Sequence, residues 1–561
     1  MTTEIKKVTD EFSVSAQITL ADVRALSDRG VKSVICNRPD GEAADQINVT
    51  EIEAAATAAG MEMVYLPVTP GKFESEDVDG FLAATERLPK PTHAYCRTGT
   101  RSITLWALYQ RRLGVPATQL LRSAQACGYD LSNALKASDE APRPQDAEHY
   151  DILIIGAGAA GIAAASSLLS RVKDLSIAIV DPAEVHYYQP GWTLVGAGVF
   201  KQAHTVKTMA SLIPEGVKWI KAAVGAFEPE HNRVTLEDSR PLYYQRLVVA
   251  PGIKLDWHAV DGLVDTLGQN GVTSNYRFDL APYTWSLVQN LKKGRAIFTQ
   301  PPMPIKCAGA PQKALYLSCD HWLRAGVLDN IEVSFYNAGD VLFGVKDYVP
   351  ALMTYIEKYR AQLQFGHRLV RIDGDARTAW FETSAADGST SEVASEFEMI
   401  HVCPPQCAPD FVRQSPLADG AGWVDVDQNT LRHKRFDNVW GLGDAMNAPN
   451  AKTAAAARMQ APIVANNLLE DMGLVSGIAH YSGYGSCPLT VERGKIVLAE
   501  FGYGGKLLPS FPQWLINGKK PSRLAWILKE KILPPVYWSA MLKGKEWMVD
   551  PEQAKGGKPV A

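Results

Sequence analysis

The 561-residue chain lacks any apolar run of 18 or more residues, so a membrane-spanning helix is not expected. Its first residues, MTTEIKKVTDEFSVSAQ, lack the basic-then-apolar pattern of a secretory signal. The net charge is only -4, which argues against nucleic acid as a partner. These absences predict a cytoplasmic protein that neither crosses a membrane nor binds nucleic acid.

Cysteine is also scarce, with eight residues scattered through the sequence. Cys403 and Cys407 alone approach the spacing of a metal-ligand pair, and no second pair accompanies them, so no metal site is expected. Cysteines in a reducing compartment are more often inert or catalytic than disulfide-bonded. Each cysteine therefore has to be judged from its own surroundings.

The length predicts two or three domains, because a single domain usually holds about 100–200 residues. Up to residue 135, short β-rich runs alternate with alanine-rich helical stretches, which is typical of a small α/β domain. Residues 136–148 are polar, contain two prolines and show no apolar period, so they are predicted to form a linker. A longer strand–turn–helix series begins directly after them.

The second series opens with a buried strand and the pattern G-x-G-x-x-G within residues 149–161. Gly156 permits the tight turn, Gly158 lets the backbone approach a pyrophosphate, and Gly161 lets the helix pack close to the strand. Asp181 ends the next strand, 20 residues beyond Gly161, where an acid binds a ribose hydroxyl. Together these residues predict a dinucleotide site.

Later segments favour FAD as that dinucleotide. Residues 246–252 resemble the strand and turn at which two-dinucleotide flavoproteins leave the FAD domain. Residues 438–444 resemble their later strand, whose end here is Gly443-Asp444, with the aspartate expected on the ribityl chain. Lys452 and Thr453 then open a helix whose amides are expected to face the pyrimidine end of the isoalloxazine.

A second glycine cradle, which a reductase fed by NADH should carry, is missing. The corresponding strand, 294–300, runs instead into Pro-Pro-Met-Pro-Ile-Lys-Cys307 before a predicted helix. Because a nearby cation and a helix N-terminus both lower a thiol pKa, Cys307 beside Lys306 is predicted to have thiolate character.

The segments around Cys307 and several others resemble the sulfide:quinone oxidoreductase family, in the branch of the mitochondrial enzyme. The resemblance covers 149–561 and is carried by residues 185–198, 305–313, 421–427, 452–456 and 484–489. It implies that sulfide attacks a cysteine disulfide or trisulfide beside FAD, that a membrane quinone reoxidises the flavin, and that sulfane sulfur leaves to a small thiol or sulfite. Cys307 matches one of the two redox cysteines.

The second redox cysteine does not carry over, because those relatives read Gly-Asp-Cys where this chain has Ala445. Candidate partners are Cys487, Cys403 and Cys407, and an external thiol is a further alternative. More distant flavocytochrome-type relatives place their second cysteine near the region of Cys487. The predicted redox pair is Cys307 with one of these three, and Cys487 is predicted to be catalytic.

The C-terminal end is basic and rich in tryptophan. From residue 506 onward there are ten Lys or Arg against four Asp or Glu. The same segment contains four tryptophans, Trp514, Trp526, Trp538 and Trp547. A short apolar and basic helix is predicted over 524–533, ended by two prolines before a second helix. Basic residues beside Trp and Leu suit a helix lying on anionic lipid, so peripheral contact with the inner (plasma) membrane is expected.

Near the N-terminus, Cys96 follows a strand and precedes a helix, with Arg101 five residues on. Such a loop forms an anion cradle for a thiolate. Four intervening residues resemble the tight loop of single-domain rhodaneses, whereas the wider segment around Cys36 resembles phosphatase-like domains fused to sulfur-metabolism proteins. Asp77 and Asp79 are the candidate general acids of a phosphatase. Sulfurtransferase, phosphatase and an idle fold stay open, with sulfurtransferase preferred.

The predicted fold is α/β: an N-terminal phosphatase-like domain, then a two-Rossmann-domain FAD-dependent oxidoreductase with a C-terminal membrane-associating region. The predicted functions are sulfide oxidation with transfer of electrons through FAD to quinone, and sulfur transfer through Cys96. The alternatives are a flavin-containing sulfide or redox sensor with a phosphatase domain, and a type 2 NADH dehydrogenase. Oligomeric state is left open. The predicted segments are 1–135, 136–148, 149–265 with 415–470 for FAD, 266–414 for the redox cysteine, and 471–561 for quinone and membrane.

Overall fold

The computed structural model describes residues 3–71, 73–112, 115, 117–132, 134–135, 148–384, 388–546, 549 and 552–553. The chain divides into two compact units, Met1–Asp146 and Ala147–Ala561. Residues 136–147 of the predicted linker lie outside the described part of the chain. The finer division of the second unit by residue ranges stays a prediction.

The first unit is built on a five-stranded sheet with helices between its strands. From edge to edge the strands are Lys6–Lys7, Phe12–Ser15, Thr92–Tyr95, Ser33–Cys36 and Glu62–Tyr65, and only the first pair is antiparallel. Every residue of the strands Ser33–Cys36 and Thr92–Tyr95 is buried, as expected for parallel strands covered on both faces. The helices are Leu20–Asp28, Val49–Ala58, Ser75–Arg87, Thr100–Arg112 and Ala117–Ala126.

The second unit begins with the sheet that carries the glycine motif. Its strands run in the order Val217–Ile220, Ile177–Val180, His149–Ile155, Pro241–Val249, Arg233–Leu236 and Val224–Glu228, with Val439–Gly441 also paired to Pro241–Val249. The helices Ala159–Arg171 and Ala454–Asp471 contact each other. Two segments nearly 300 residues apart thus complete one dinucleotide-binding layer, because the late strand joins the sheet in parallel.

A second parallel sheet carries the strand that leads to Cys307. Its strands are Val272–Thr273, Met399–His401, Gly294–Gln300, Ile331–Asn337 and Gln362–Phe365. Beside it lies an antiparallel sheet of His367–Asp373, Thr378–Ser384 and Thr390–Glu396. The helices of this region are Ala281–Asn290, Ala310–Arg324 and Val349–Tyr359.

The remaining elements are short or lie in the C-terminal part. Two-stranded pairs join Val185–Tyr187 to Val206–Thr208, Lys254–Leu255 to Gln406–Cys407, Ala479–His480 to Glu552–Gln553, and Gly485–Glu492 to Lys495–Phe501. The short helices are Trp192–Val195, Leu263–Thr266 and Asp410–Arg413. Within the described ranges, none of the helices combines the length and apolarity that crossing a membrane requires.

The C-terminal helices correct one expectation. A break was predicted at Pro534 and Pro535, yet the helical path continues through Arg523–Ile527, a π-helical segment Leu528–Ile532, and Leu533–Ser539. Both prolines lie in the first turn of the last segment, where a missing N–H is tolerated. The wider π turn before them carries the chain onward without a break.

Candidate active site

A single cavity of about 530 Å³ gathers the motifs that the sequence had spread over 300 residues. Its wall includes six of the eight predicted cofactor residues: Gly158, Asp181, Gly443, Asp444, Lys452 and Thr453. Cys307 lies on the same wall. The structure therefore brings the dinucleotide motifs and the predicted nucleophile to one place.

The glycine loop is closely packed at Gly156 and Gly161 and open at Gly158. Gly156 has a φ of +99°, and a Cβ there would overlap the carbonyl oxygen of Ala250. A Cβ on Gly161 would overlap the carbonyl oxygen of Gly156, so both glycines are required by close packing. At Gly158 a Cβ would meet nothing within 4 Å, and its backbone faces the cavity at the start of the helix Ala159–Arg171. This cradle fits the phosphates of a dinucleotide.

The acid at the end of the second strand is held in place by the same loop. One oxygen of Asp181 accepts the backbone N–H of Ala157 at 2.7 Å, and the other accepts that of Ala183 at 2.8 Å. The carboxylate is thereby fixed beside the glycine turn and on the cavity wall. This is the position from which an acid binds a ribose hydroxyl.

At the opposite wall, Lys452 is buried and donates to the carbonyl oxygens of Asp444 and Met446, each at 2.8 Å. Burial lowers the pKa of Lys452 to about 8 and raises the pKa of Asp444. Thr453 caps the next helix by accepting the N–H of Ala456. A helix N-terminus therefore faces the cavity, as the sequence predicts for the pyrimidine end of a flavin.

Cys307 and Cys487 form the reactive pair of the cavity, with their sulfur atoms 4.0 Å apart and both thiols free. The backbone N–H of Cys307 donates to the carbonyl oxygen of Lys452 at 2.8 Å, which ties the thiol to the flavin-facing helix. Its φ is +50°, a left-handed conformation that non-glycine residues rarely adopt. Strain of this kind is concentrated at functional sites.

The cation in contact with Cys307 is Lys313, which the sequence prediction did not name, whereas Lys306 interacts with Cys307 through its charge alone. Lys313 Nζ lies 3.1 Å from Cys307 Sγ, whereas Lys306 Nζ donates to Gln189 Oε1 at 2.6 Å. A hydrogen bond from the Cys487 thiol holds the pKa of Cys307 well below its usual range, against burial and with the help of the Lys313 charge. The same contact raises the pKa of Cys487, so Cys307 is the thiolate and Cys487 the thiol.

Two lysines of this site were missed by the sequence reasoning. Lys313 lies in the first turn of the helix Ala310–Arg324, and its place after Cys307 was a readable signal. Lys529 had been grouped with lipid-facing basic residues, but its side chain is buried and lines the cavity. Burial and the nearby Lys313 charge lower the pKa of Lys529 to about 7. No feature of the local sequence distinguishes it from its exposed neighbours.

The other two candidate partners have different neighbours. Cys403 is buried, its sulfur is contacted by Gln406 at 3.7 Å, and burial raises its pKa to about 12. The sulfur of Cys407 is contacted by Arg413 at 3.8 Å. Of the three candidates, Cys487 is the one whose sulfur the structure brings to Cys307.

The Cys96 loop of the first unit shows one backbone donor of the predicted cradle. Cys96 Sγ accepts the backbone N–H of Gly99 at 3.1 Å, directly before the helix Thr100–Arg112. The buried Arg101 guanidinium pairs with both carboxylate oxygens of Glu42, at 2.7 and 2.8 Å. Glu42 was not predicted as a site residue, although it lies in the segment that resembles phosphatase-like domains. Of the two candidate acids, Asp77 accepts the N–H of Glu74 as a helix cap.

Of the C-terminal tryptophans, Trp514 is exposed. Trp526 and Trp538 are buried, the first donating to Glu530 and the second packing on His186 and Tyr537. Trp547 lies outside the described residues. Five large apolar residues of this C-terminal part are exposed, and they are called the apolar patch below: Trp514, Leu515, Leu524, Ile527 and Ile532.

A glycine cradle for a flavin dinucleotide, and a cysteine pair of which Cys307 lies on the wall of the same cavity, define a flavin-dependent disulfide oxidoreductase. Residues 150–288 match the Pyridine nucleotide-disulphide oxidoreductase family. The mitochondrial sulfide:quinone oxidoreductase of Dictyostelium discoideum is 43% identical over 400 residues, 70% of this chain and 86% of that protein. The chain belongs to the sulfide:quinone oxidoreductase family, and FAD is its cofactor.

Further comparisons cover both units. The mouse mitochondrial sulfide:quinone oxidoreductase is 39% identical, over 71% of this chain and 87% of that protein. The sulfide:quinone oxidoreductase structure from Aquifex aeolicus has the same fold, with a TM-score of 0.60 at 18% identity, over 74% of this chain and 99% of that one. Residues 4–112 match the family of the phosphatase-like domain of Beta-lactamase hydrolase-like protein. The predicted fusion of a phosphatase-like domain to this oxidoreductase is confirmed.

Proposed function

We propose that this chain oxidises sulfide at Cys307 and Cys487 and passes the electrons through FAD to a quinone. The observation that carries the proposal is that Cys307, on the wall of the dinucleotide cavity, has its sulfur 4.0 Å from that of Cys487. The names of its relatives give the same two substrates, sulfide and quinone. This chain has Ala445 where some relatives carry their second redox cysteine, and Cys487 is the second redox cysteine here.

The asymmetry of the pair sets the direction of sulfide attack. Because Lys313 Nζ lies 3.1 Å from Cys307 Sγ and stabilises a thiolate there, Cys307 is the better leaving group, and sulfide attacks the Cys487 sulfur of the oxidised pair. One S–S bond forms to sulfide as the Cys307–Cys487 bond breaks, which leaves a persulfide on Cys487. Its outer sulfur then moves to a small thiol or to sulfite.

That transfer leaves one thiol and one thiolate, which re-form the disulfide by losing two electrons and one proton. A bound FAD would accept these two electrons and deliver them to the quinone, whose reduction to a quinol also takes up two protons. Cys307 is the member of the pair that lines the cavity, and Lys452 holds its backbone against the helix that begins at Ala454. Cys307, the sulfur that donates electrons to the flavin, thus lies on the cavity wall, and Cys487, the sulfur that sulfide attacks, does not.

A quinone reaches the cavity from lipid, so we place the apolar patch on the cytoplasmic face of the inner membrane. The cavity wall includes Phe511, Leu528, Leu533 and Val536, which are close in sequence to the exposed residues of the patch. Basic residues flank the patch at 519, 520, 523 and 531. Exposed apolar side chains beside such residues favour an anionic lipid surface.

For the first unit we propose sulfur transfer through a persulfide on Cys96. The Gly99 N–H already donates to this sulfur, and four residues separate it from Arg101. A small carrier such as a thiol persulfide would bring sulfane sulfur from the second unit. Because both units belong to one chain, the effective concentration of the Cys96 thiol near the unit that makes this sulfur is raised. A small thiol or sulfite then takes the sulfur from Cys96.

A second candidate activity for this unit is phosphate-ester hydrolysis, because residues 4–112 match a phosphatase-like family. With this activity, a flavin unit that does not turn over would act as a sulfide or redox sensor. The two activities are separated by assaying sulfur transfer from thiosulfate and hydrolysis of p-nitrophenyl phosphate in the wild type and in Cys96→Ser. Loss of hydrolysis alone favours the phosphatase, and loss of sulfur transfer alone favours the sulfurtransferase.

The main proposal is tested by sulfide-dependent reduction of a short-chain ubiquinone with the FAD-loaded full chain. Cys307→Ser and Cys487→Ser are each expected to abolish turnover, because each removes one half of the disulfide. Cys407→Ser is the matched control and keeps the wild-type rate. Full turnover in Cys487→Ser would refute the pair, and quinone reduction driven by NADH instead of sulfide would refute the whole assignment.

A further inference from the structure

The hairpin that carries Cys487 presents different residues on its two faces. Cys487 lies opposite Ala499 in the strand register, and its sulfur faces Cys307 and Gly309. Since side chains alternate along a strand, the neighbouring cross-strand pair Ser486 and Glu500 faces the other way. Both of these residues line the flavin cavity. One face of the hairpin therefore supplies a redox sulfur and the other supplies a carboxyl group.

Glu500 is a buried acid that the sulfide chemistry does not use. Its side chain is 5% exposed, Oε1 accepts the hydroxyl of Tyr484 at 2.7 Å, and Oε2 accepts the backbone N–H of Ser510 at 3.1 Å. Arg458, on the helix that starts at the flavin-facing wall, interacts electrostatically with both Tyr484 and Glu500. A carboxyl group kept in an apolar-walled cavity with this much support needs an explanation beyond packing.

The contacts of Tyr484 connect Glu500 to a less buried group. The Tyr484 hydroxyl also lies 3.1 Å from Ser510 Oγ, and Ser510 is half-buried. Each hydroxyl can donate and accept at the same time, so Ser510, Tyr484 and Glu500 form an unbroken hydrogen-bonded path. A proton taken up at Ser510 can pass through Tyr484 to Glu500 by exchange along these bonds.

Resting on the proposed function, we propose that Glu500 donates a proton to the quinone during its reduction and is reloaded through Tyr484 and Ser510. Reduction of a quinone to a quinol consumes two electrons, which come from sulfide by way of FAD, and two protons. A proton delivered to Glu500 through Tyr484 passes on to one quinone oxygen, the O–H bond to Glu500 breaks, and the side chain is again the carboxylate that contacts Tyr484 and the Ser510 N–H. Water at the cavity mouth protonates the second oxygen.

Two acceptors with different proton demands test this role in the FAD-loaded full chain. A ubiquinone analogue takes up two protons with its electrons, whereas ferricyanide takes up electrons alone. Glu500→Gln keeps the hydrogen-bond acceptor of the side chain but removes the exchangeable carboxyl proton. After anaerobic reduction by sulfide, we expect quinone to reoxidise the Glu500→Gln variant about 100-fold more slowly than the wild type, the usual range for a lost general acid. Reoxidation of the variant by ferricyanide is expected to stay within about twofold of the wild-type rate.

Tyr484→Phe interrupts the path and is expected to give a smaller loss with the same selectivity for quinone. Glu492→Gln, on the same hairpin but ion-paired with Lys358 and Lys495 at the surface, is the matched control and keeps both rates. Equal slowing with both acceptors, or unchanged quinone reoxidation in Glu500→Gln, would overturn the inference. Wild-type protein that sulfide does not reduce would instead refute the proposed function, so the two failures are distinguishable.

Discussion

Lys313 Nζ lies 3.1 Å from Cys307 Sγ inside a buried site, so the thiolate of Cys307 has a fixed cation as its neighbour. Lys313 is itself 2% exposed, and the nearby cysteine sulfur atoms keep its pKa above the ordinary value despite burial. The two charges stabilise each other, because neither would be tolerated alone in this environment.

Replacing Lys313 by Met tests that pairing. Because the lysine charge lowers the pKa of Cys307, its loss raises this pKa and reduces the thiolate fraction at pH 7. A rise of one unit moves the midpoint of the alkylation curve up by one pH unit, so alkylation by iodoacetamide falls about tenfold at pH values below that midpoint. The pH dependence of Cys307 alkylation, followed by peptide mass spectrometry, measures the shift. Lys306→Met is the comparison variant, and a larger effect there than in Lys313→Met would contradict the assignment.

Gly309→Ala tests the approach of the two cysteines. A Cβ at this position would lie 2.6 Å from Cys487 Sγ and would overlap Leu489. Such overpacking destabilises the fold by about 1–3 kcal/mol and displaces Cys487 Sγ from its position beside Cys307 Sγ. We expect fewer Cys307–Cys487 disulfides after mild oxidation, counted by differential alkylation. Gly344→Ala, where a Cβ meets nothing within 4 Å, serves as control and should oxidise like the wild type.

The apolar patch is tested with lipid vesicles. Leu524 and Ile527 are nearly half exposed, so replacing both by Glu leaves the core intact while placing charge at the lipid surface. We expect binding to vesicles containing anionic lipid to fall at least about tenfold in cosedimentation. Val341→Glu, equally exposed outside the patch, controls for added charge. Unchanged binding of the double variant would contradict membrane contact through this surface.

His93 predicts a pH dependence of the first unit. It lies buried in the strand that leads to Cys96, hydrogen-bonded to Ser13 and Ser15, and burial lowers its pKa to about 3. Since the unfolded chain binds the proton near pH 6.5, stability is present above that pH and is lost as pH falls, by about 1.4 kcal/mol per unit. Hydrogen exchange of this strand between pH 7 and pH 5 measures the loss. His93→Gln should flatten that dependence, and an unchanged slope would contradict it.

The sequence predicted most of the scaffold because its signals are local. The glycine turn at Gly156 and the strand Gly294–Gln300 each follow from a short pattern of glycine or apolar residues. The fold class was confirmed at the level of a phosphatase-like domain joined to the oxidoreductase. The missing second glycine cradle likewise needed no structure to be recognised.

What the sequence left open depends on contacts between distant segments. Cys307 and Cys487 are 180 residues apart, and before the hairpin is placed only the resemblance to flavocytochrome-type relatives favours Cys487 over Cys403. Lys529 resembles its exposed neighbours until the π-helical segment turns it into the cavity. Glu500 reads as one more polar residue in a strand, and its role is visible only beside Tyr484.

Anaerobic titration of the FAD-loaded chain with sulfide, followed by addition of a short-chain quinone, tests the central claim most directly. The account predicts that sulfide changes the flavin absorbance at about one equivalent, that quinone restores it, and that Cys307→Ala abolishes the response. A flavin that ignores sulfide in the wild type, or one that still responds in Cys307→Ala, would contradict it.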